Sequence, residues 1–211
     1  MKLLPKQELL KTGPVDHADW NYKPLTGLVQ RRRFRMALRL LGKSRFERLL
    51  EIGYGSGIFM PELSGRCDEL HGIDIHNSPG EVENRLMRNG TKAELKSCSA
   101  TAMSFPDAFF DCVLAVSSLE FVDDLERACC EVRRVLRKDG AFIVVTPGQS
   151  PVVDAGLKLL TGESAHADFG ERRSRILPTL ERMFVVERRV QSPILFHRIV
   201  NLYTALLMRP R

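Results

Sequence analysis

Long apolar runs are missing from this chain. No stretch approaches the ~20 apolar residues that a membrane-spanning helix needs, and the apolar part of Met1-Lys2-Leu3-Leu4-Pro5-Lys6 is too short for a secretory signal. The expected location is cytoplasmic. Tryptophan is nearly absent: Trp20 is the only one among 211 residues, and aromatic residues make up 7%. No RNA-stacking aromatic signature therefore accompanies the net charge of +6, which argues against a nucleic-acid partner. The five cysteines, Cys67, Cys98, Cys112, Cys129 and Cys130, are odd in number and contain no C-x-x-C pair. That spacing supports neither a disulfide framework nor a zinc site, so the cysteines read as small buried apolar residues. His71 and His76 near Cys67 reproduce no zinc spacing either, and no metal is expected.

What is present suits one domain with appendages, since 211 residues supply ample material for a single core. Hydrophobic residues at 44% and charged residues at 27% are ordinary for a soluble globular chain. Charge is unevenly spread. Residues 1–50 hold 12 basic and 4 acidic side chains, residues 51–170 hold 11 and 19, and residues 171–211 hold 9 and 3. Basic flanks around an acidic centre would draw an anionic substrate or a lipid surface; the plainer reading is an arginine-rich solvated face.

The chain is organised around Arg48 to Gly57, R-L-L-E-I-G-Y-G-S-G. Leu49, Leu50 and Ile52 read as a strand, and it runs into glycines at 53, 55 and 57. Ile58 to Leu63 then reads as a helix start, with Pro61 tolerated in its first turn. Glycines let a backbone approach a ligand, and free N–H groups at a helix start face it, so this is a nucleotide cradle. A dinucleotide fingerprint needs glycine at position 58, where Ile58 stands. Glu69 to Ile75 gives a second strand with Asp74 near its end, 17 residues beyond Gly57. An acid at that place holds a ribose diol, because its two oxygens can each accept a hydroxyl. Asp74 thus supports an adenosine ligand without saying which.

The most discriminating stretch is Ser99 to Asp111, S-A-T-A-M-S-F-P-D-A-F-F-D, followed by the apolar strand Cys112 to Val116. With E-x-G-x-G-x-G before it, Leu119-Glu120-Phe121-Val122 after it and Arg133 to Gly140 ahead of the fifth strand, it resembles the class I S-adenosylmethionine-dependent methyltransferases, of the small-molecule type. Ser99 stands where that family carries an acid, Met103 replaces leucine, Ser104 replaces proline, and Phe121 occupies a place where histidine is common.

The resemblance implies an α/β fold, one doubly wound, Rossmann-like sheet of seven strands. The sheet would be mostly parallel, ordered 3-2-1-4-5-7-6 with an antiparallel last strand. It further implies S-adenosylmethionine as cofactor and methyl transfer to a small-molecule acceptor, hydrophobic or anionic, by in-line displacement. Glu51, Gly53, Tyr54, Gly55 and Gly57 would hold the methionine end, Asp74 and Ile75 the ribose and adenine edge, and Ser99, Ala100 and Met103 the adenine. Ser117 and Leu119 would flank the methyl. Two other readings use some of the same residues. A nicotinamide-dependent oxidoreductase fits Gly53, Gly55 and Asp74 but not Ile58, and a non-catalytic binding module fits the departures at Ser99 and Phe121.

The flanks complete the expected layout of one methyltransferase domain, 1–211. Residues 1–42 would form a loose arm with a short helix near Gln7–Leu10, then an amphipathic helix over Leu28–Leu41. Trp20 and Tyr22 are lid candidates or anchors of that arm, and the arginine-rich helix packs on the sheet or touches a membrane periphery. Residues 43–148 would be the cofactor core. Residues 149–173 would be a substrate lid carrying His166 and Asp168, a pair suited to proton transfer. Residues 174–211 would be a C-terminal helix and hairpin.

Overall fold

Adjacent residues Leu49 and Leu50 of the first strand, β1 (Phe46–Ile52), are both fully buried, and they belong to different cores. Successive side chains of a strand point to opposite faces, so β1 lies in a sheet covered on both sides. The computed structural model describes residues 1–13, 16–148, 169–193 and 201–211. Its other strands are β2 (Cys67–Asp74), β3 (Glu94–Ser97), β4 (Phe110–Val116), β5 (Leu136–Pro147), β6 (Phe184–Pro193) and β7 (Asn201–Pro210). They join in the order β3-β2-β1-β4-β5-β7-β6. Strands β1 to β5 pair in parallel, and β7 runs antiparallel to both β5 and β6, as the resemblance implies.

The same alternation runs through the neighbouring strands. Leu114, Ile143 and Val145 join Leu49 on one face, where they meet Phe34, Ala37 and Leu40 of α1 (Pro24–Leu41), Met60 and Leu63 of α2 (Met60–Leu63), and Val82 and Leu86 of α3 (Pro79–Arg88). Val113, Ala115, Phe142 and Val144 join Leu50 on the other, against Ala128 and Val132 of α4 (Leu125–Val135) and Ile176 and Leu180 of α5 (Phe169–Met183). Helix α4 starts on Asp124, whose carboxylate accepts the Arg127 N–H.

Four expectations are corrected. The helix behind the glycine loop is a single turn, α2, followed by a 3-10 turn at Ser64–Arg66, because β2 begins at Cys67 and leaves no room for more. Helix α1 begins at Pro24 rather than Leu28, with the proline in its first turn, where a missing N–H costs nothing. Helix α4 stops at Val135, and Leu136 already pairs with Phe110; the next register pair is Cys112 with Ala141, so the turn around Gly140 is a bulge inside β5. The arm is docked rather than loose. Leu4 is fully buried and donates its N–H to the Ile58 carbonyl at 3.0 Å, and Arg85 of α3 donates to the Glu8 carbonyl at 3.2 Å.

Candidate active site

The glycine loop leaves β1 at Gly53, whose φ of +77° lies in the left-handed region that L side chains avoid. A β-carbon there would stand 2.3 Å from Ser118 Cβ, so only glycine lets the loop cross the chain leaving β4. Gly55, two residues on, is held from both sides by β2 and its sequel. Its N–H donates to Asp74 Oδ2 at 2.8 Å, and its carbonyl lies 3.2 Å from His76 Nε2. The Ser78 N–H donates to His76 Nδ1 at 3.1 Å, which fixes the ring proton on Nε2 and makes that nitrogen the donor to Gly55. Asp74 Oδ1 accepts the Ile75 N–H at 2.7 Å. Oδ1 also receives the His76 N–H at 3.4 Å, and since a carboxylate offers about four lone-pair sites, one hydroxyl can still be accepted there.

Several buried polar atoms at the carboxyl ends of β1, β4 and β5 have no partner among the described residues: Glu51 Oε2, Tyr54 OH, Ser56 Oγ, Ser117 Oγ, Glu120 Oε2 and Thr146 Oγ1. Folded proteins leave few such atoms, and each calls for a cause. Two are carboxyl oxygens. Burial pushes the Glu51 carboxyl up to about 8; the Arg33 charge opposes the rise and the Asp74 charge adds to it. Glu120 is pushed up to about 7, again by burial, with Arg173 and Arg33 opposing. Tyr54 is raised by burial and by the Asp74 and Glu83 charges. At the end of β4 Ser117 holds a φ of +53°, a strained conformation for a non-glycine residue.

The structure brings Glu51, Gly53, Tyr54, Gly55, Gly57 and Asp74 into one neighbourhood. Ile75 follows and is 75% exposed. Ser99 is exposed, and its hydroxyl is used within its own turn, 2.8 Å from Thr101 Oγ1. Ala100, Met103 and Leu119 are buried in the α4 and α5 core. The stretch around Met103 is fastened by Arg134, which donates to the Met103 carbonyl at 2.8 Å, the Phe105 carbonyl at 2.7 Å and Asp107 at 2.8 Å. Asp111 of the same stretch accepts the N–H groups of Glu47 and Arg48, both at 2.8 Å, and so secures the start of β1.

Tyr22 donates its hydroxyl to the Leu4 carbonyl, which is an anchoring contact. Trp20 stacks on His17 with ring centroids 4.4 Å apart. His166 and Asp168 lie outside the described residues.

Sequence reasoning missed three sets of residues. His76 clamps the loop. Thr12 and Asp16 of the arm lie over it: a β-carbon on Gly55 would stand 3.8 Å from Thr12 Oγ1 and 4.0 Å from Asp16 Oδ2. Asp16 accepts from Thr12 Oγ1 at 2.9 Å and from the Ala18 N–H at 3.0 Å, a closed turn that an aspartate followed by polar residues could have suggested. Arg33, Glu120, Arg173 and Tyr203 form the third set. Two hollows elsewhere, about 560 Å³ beside Lys43 and Arg66 and about 320 Å³ beside Arg133 and Lys138, sit at the amino ends of the parallel strands. Open α/β sheets bind ligands at the opposite end.

Residues 50–144 match the family described as methyltransferase domain. The chain is 31% identical over 159 residues to a phosphatidylethanolamine N-methyltransferase of Cereibacter sphaeroides, covering 71% of this chain and 76% of that protein. It is 32% identical over 126 residues to the ubiquinone/menaquinone biosynthesis C-methyltransferase UbiE of Nitrosospira multiformis, covering 57% of this chain but only 51% of that protein. Among solved structures, the N-methyltransferase NodS of Bradyrhizobium japonicum in complex with S-adenosyl-L-homocysteine superposes with a TM-score of 0.64 over 95% of this chain and 94% of that one. At 17% identity the last likeness speaks for the fold alone.

Proposed function

The chain belongs to the S-adenosylmethionine-dependent methyltransferases, and from that premise we propose that it methylates an amphiphilic small molecule at the carboxyl ends of β1, β2 and β4. The observation that carries the cofactor half of this reading is Glu51 Oε2, a buried carboxyl oxygen without a partner among the described residues, at the root of the glycine loop. An α-ammonium group is the partner it lacks. In this reading Gly53, Tyr54, Gly55 and Gly57 line the methionine end, Asp74 and Ile75 the ribose and adenine edge, and Ser99, Ala100 and Met103 the adenine. Ser117 and Leu119 flank the transferred methyl.

When bound, the cofactor supplies a methyl group on a positively charged sulfur. The protein's task is to hold an acceptor in line with it. Positioning of this kind contributes up to ~7–11 kcal/mol toward the barrier, so a strong base is not obligatory. Thr12 and Asp16 cover the loop from the arm side, and Trp20 stands close to them in sequence. The relatives' names support the amphiphilic acceptor: one protein is named for a phospholipid amine, another for quinone synthesis. Among the described residues no helix is long and apolar enough to cross a membrane.

Titration calorimetry with S-adenosylmethionine and S-adenosylhomocysteine tests the reading. Asp74→Ala is expected to weaken both by about 10- to 100-fold, the scale of a hydrogen bond to a charged group. Unchanged affinity would remove Asp74 from the site. Trp20 fluorescence is expected to respond to the same titration, and a flat signal with binding intact would remove the arm from the lid.

A further inference from the structure

His76 stands just past the end of β2, and both of its ring nitrogens are committed to backbone groups. Nδ1 accepts the Ser78 N–H at 3.1 Å, so the ring proton sits on Nε2, 3.2 Å from the Gly55 carbonyl. The ring also meets the buried Tyr54 ring edge-on, with centroids 4.9 Å apart and planes at 78°. No ring nitrogen is left for a ligand. A histidine so placed works through its neighbours.

Those neighbours are the glycine loop, which is tied to β2 and its sequel in order. Gly53 donates its N–H to the Ile73 carbonyl at 2.8 Å, Gly55 donates to Asp74 Oδ2 at 2.8 Å, and His76 donates to the Gly55 carbonyl. Gly55 holds a φ of +52°, while a β-carbon on it would meet nothing closer than 3.8 Å. The backbone angle rather than crowding therefore calls for glycine here. A glycine backbone is permissive, so the Gly55–Ser56 peptide could turn either way; the bond from His76 selects one. In a trans peptide the N–H points away from the carbonyl, so holding the Gly55 carbonyl aims the Ser56 N–H to the opposite side. Among the described residues neither that N–H nor the buried Ser56 Oγ has a partner.

We propose that His76 is a positioning residue for the cofactor. Through the Gly55 carbonyl it fixes the Gly55–Ser56 peptide, and so presents the free Ser56 N–H to the carboxylate of the cofactor's methionine part. This deepens the methyl-transfer reading and rests on it for the identity of the ligand, though not for the clamp itself. An amino-acid group carries one charge of each sign; the Ser56 N–H answers the negative one as the Glu51 carboxyl answers the positive one. Loss of the Nε2 bond leaves the sheet intact but lets the peptide turn. An N–H that must be re-aimed at each binding event lowers affinity, because the ordering is then drawn from the binding free energy.

The test separates the two ring nitrogens. In His76→Asn the side-chain oxygen stands in for Nδ1 and accepts from Ser78, while nothing reaches Gly55. In His76→Gln the amide nitrogen stands in for Nε2 and donates to Gly55, while the Ser78 bond is lost. Calorimetric titration of the full chain with S-adenosylhomocysteine is expected to show binding about 3- to 10-fold weaker for His76→Asn, the scale of one hydrogen bond, and within about 2-fold of the wild type for His76→Gln. Hydrogen exchange at the Gly55 amide of the cofactor-free protein is expected to follow the same order, at least about 3-fold faster in His76→Asn alone. Nitrogen NMR of the wild type is expected to find the His76 ring proton on Nε2. A His76→Gln variant that binds no better than His76→Asn would overturn the proposal, since a role confined to the bend at Ser78 predicts the reverse order. A ring proton on Nδ1 would overturn it as well. Failure of S-adenosylhomocysteine to bind the wild type would overturn the cofactor reading instead, and the Gly55 exchange rates would still decide the clamp.

Discussion

Two places in this molecule treat a buried glutamate in opposite ways. On α4, Glu131 accepts from Arg134 Nε at 2.9 Å, from Arg134 Nη2 at 2.9 Å and from the Met103 N–H at 2.8 Å, and these bonds pull its carboxyl down to about 2. At the ends of β1 and β4, Glu51 and Glu120 are buried more deeply and leave an oxygen unpaired, and burial pushes them up to about 8 and about 7. The satisfied acid fastens a loop to a helix. The unsatisfied pair carries a cost in the free protein that a ligand of the right charge would relieve, and on this contrast rests the proposed division between a structural carboxylate and a binding one.

Neutralising each acid without changing its shape should give effects of opposite sign. Glu131→Gln removes charge-assisted bonds and is expected to destabilise the protein by about 1.5–3 kcal/mol in urea denaturation. The folded Glu131 carboxyl lies below its ordinary 4.5, so its contribution is present above that pH and lost as pH falls from about 4.5 toward about 2. Equal acid sensitivity of the variant and the wild type would erase the contrast from this side.

Glu51→Gln is expected to do the reverse. Its folded carboxyl is raised from 4.5 to about 8, so its penalty is absent below 4.5 and grows as pH rises through about 8. The variant should therefore gain about 1–3 kcal/mol over the wild type in the cofactor-free protein at pH 8, with little gain at pH 5. A loss of stability at pH 8 would show that Glu51 has partners within the fold.

Ser117→Gly sharpens the comparison at a neutral position. It releases the strained +53° backbone and removes an unpaired hydroxyl. Set against the entropy glycine adds to the unfolded chain, a net gain of about 1 kcal/mol is expected in the cofactor-free protein. No change in the melting midpoint would mean the strain is relieved elsewhere.

The sheet was legible in the sequence because β1, β4 and β5 are apolar runs between turn signals, and the strand order came with the motifs from Glu51 to Gly140. Glu51 and Asp74 were legible by position: Glu51 stands near the end of the strand that feeds the glycine loop, and Asp74 closes the next strand. The charged group at Glu120 was not. Arg33 reads as one of five arginines on an amphipathic helix, Glu120 as part of a short motif, and Arg173 and Tyr203 as ordinary residues of a late helix and strand. Only the packing of α1, α5 and β7 around the end of β4 brings them together. The docked arm was hidden too, since prolines at 5, 14 and 24 mark a broken chain but do not tell that Leu4 will be buried.

The decisive experiment is calorimetric titration of S-adenosylhomocysteine at pH 7 in buffers of different ionisation enthalpy, for the wild type and Glu51→Gln. An ammonium drawn to Glu51 lowers a carboxyl that stands at about 8 in the free protein, so the wild type is expected to release nearly ~1 proton on binding and the variant none. Binding without proton release in the wild type, or the same release from both proteins, would contradict the role given to the unpaired acid.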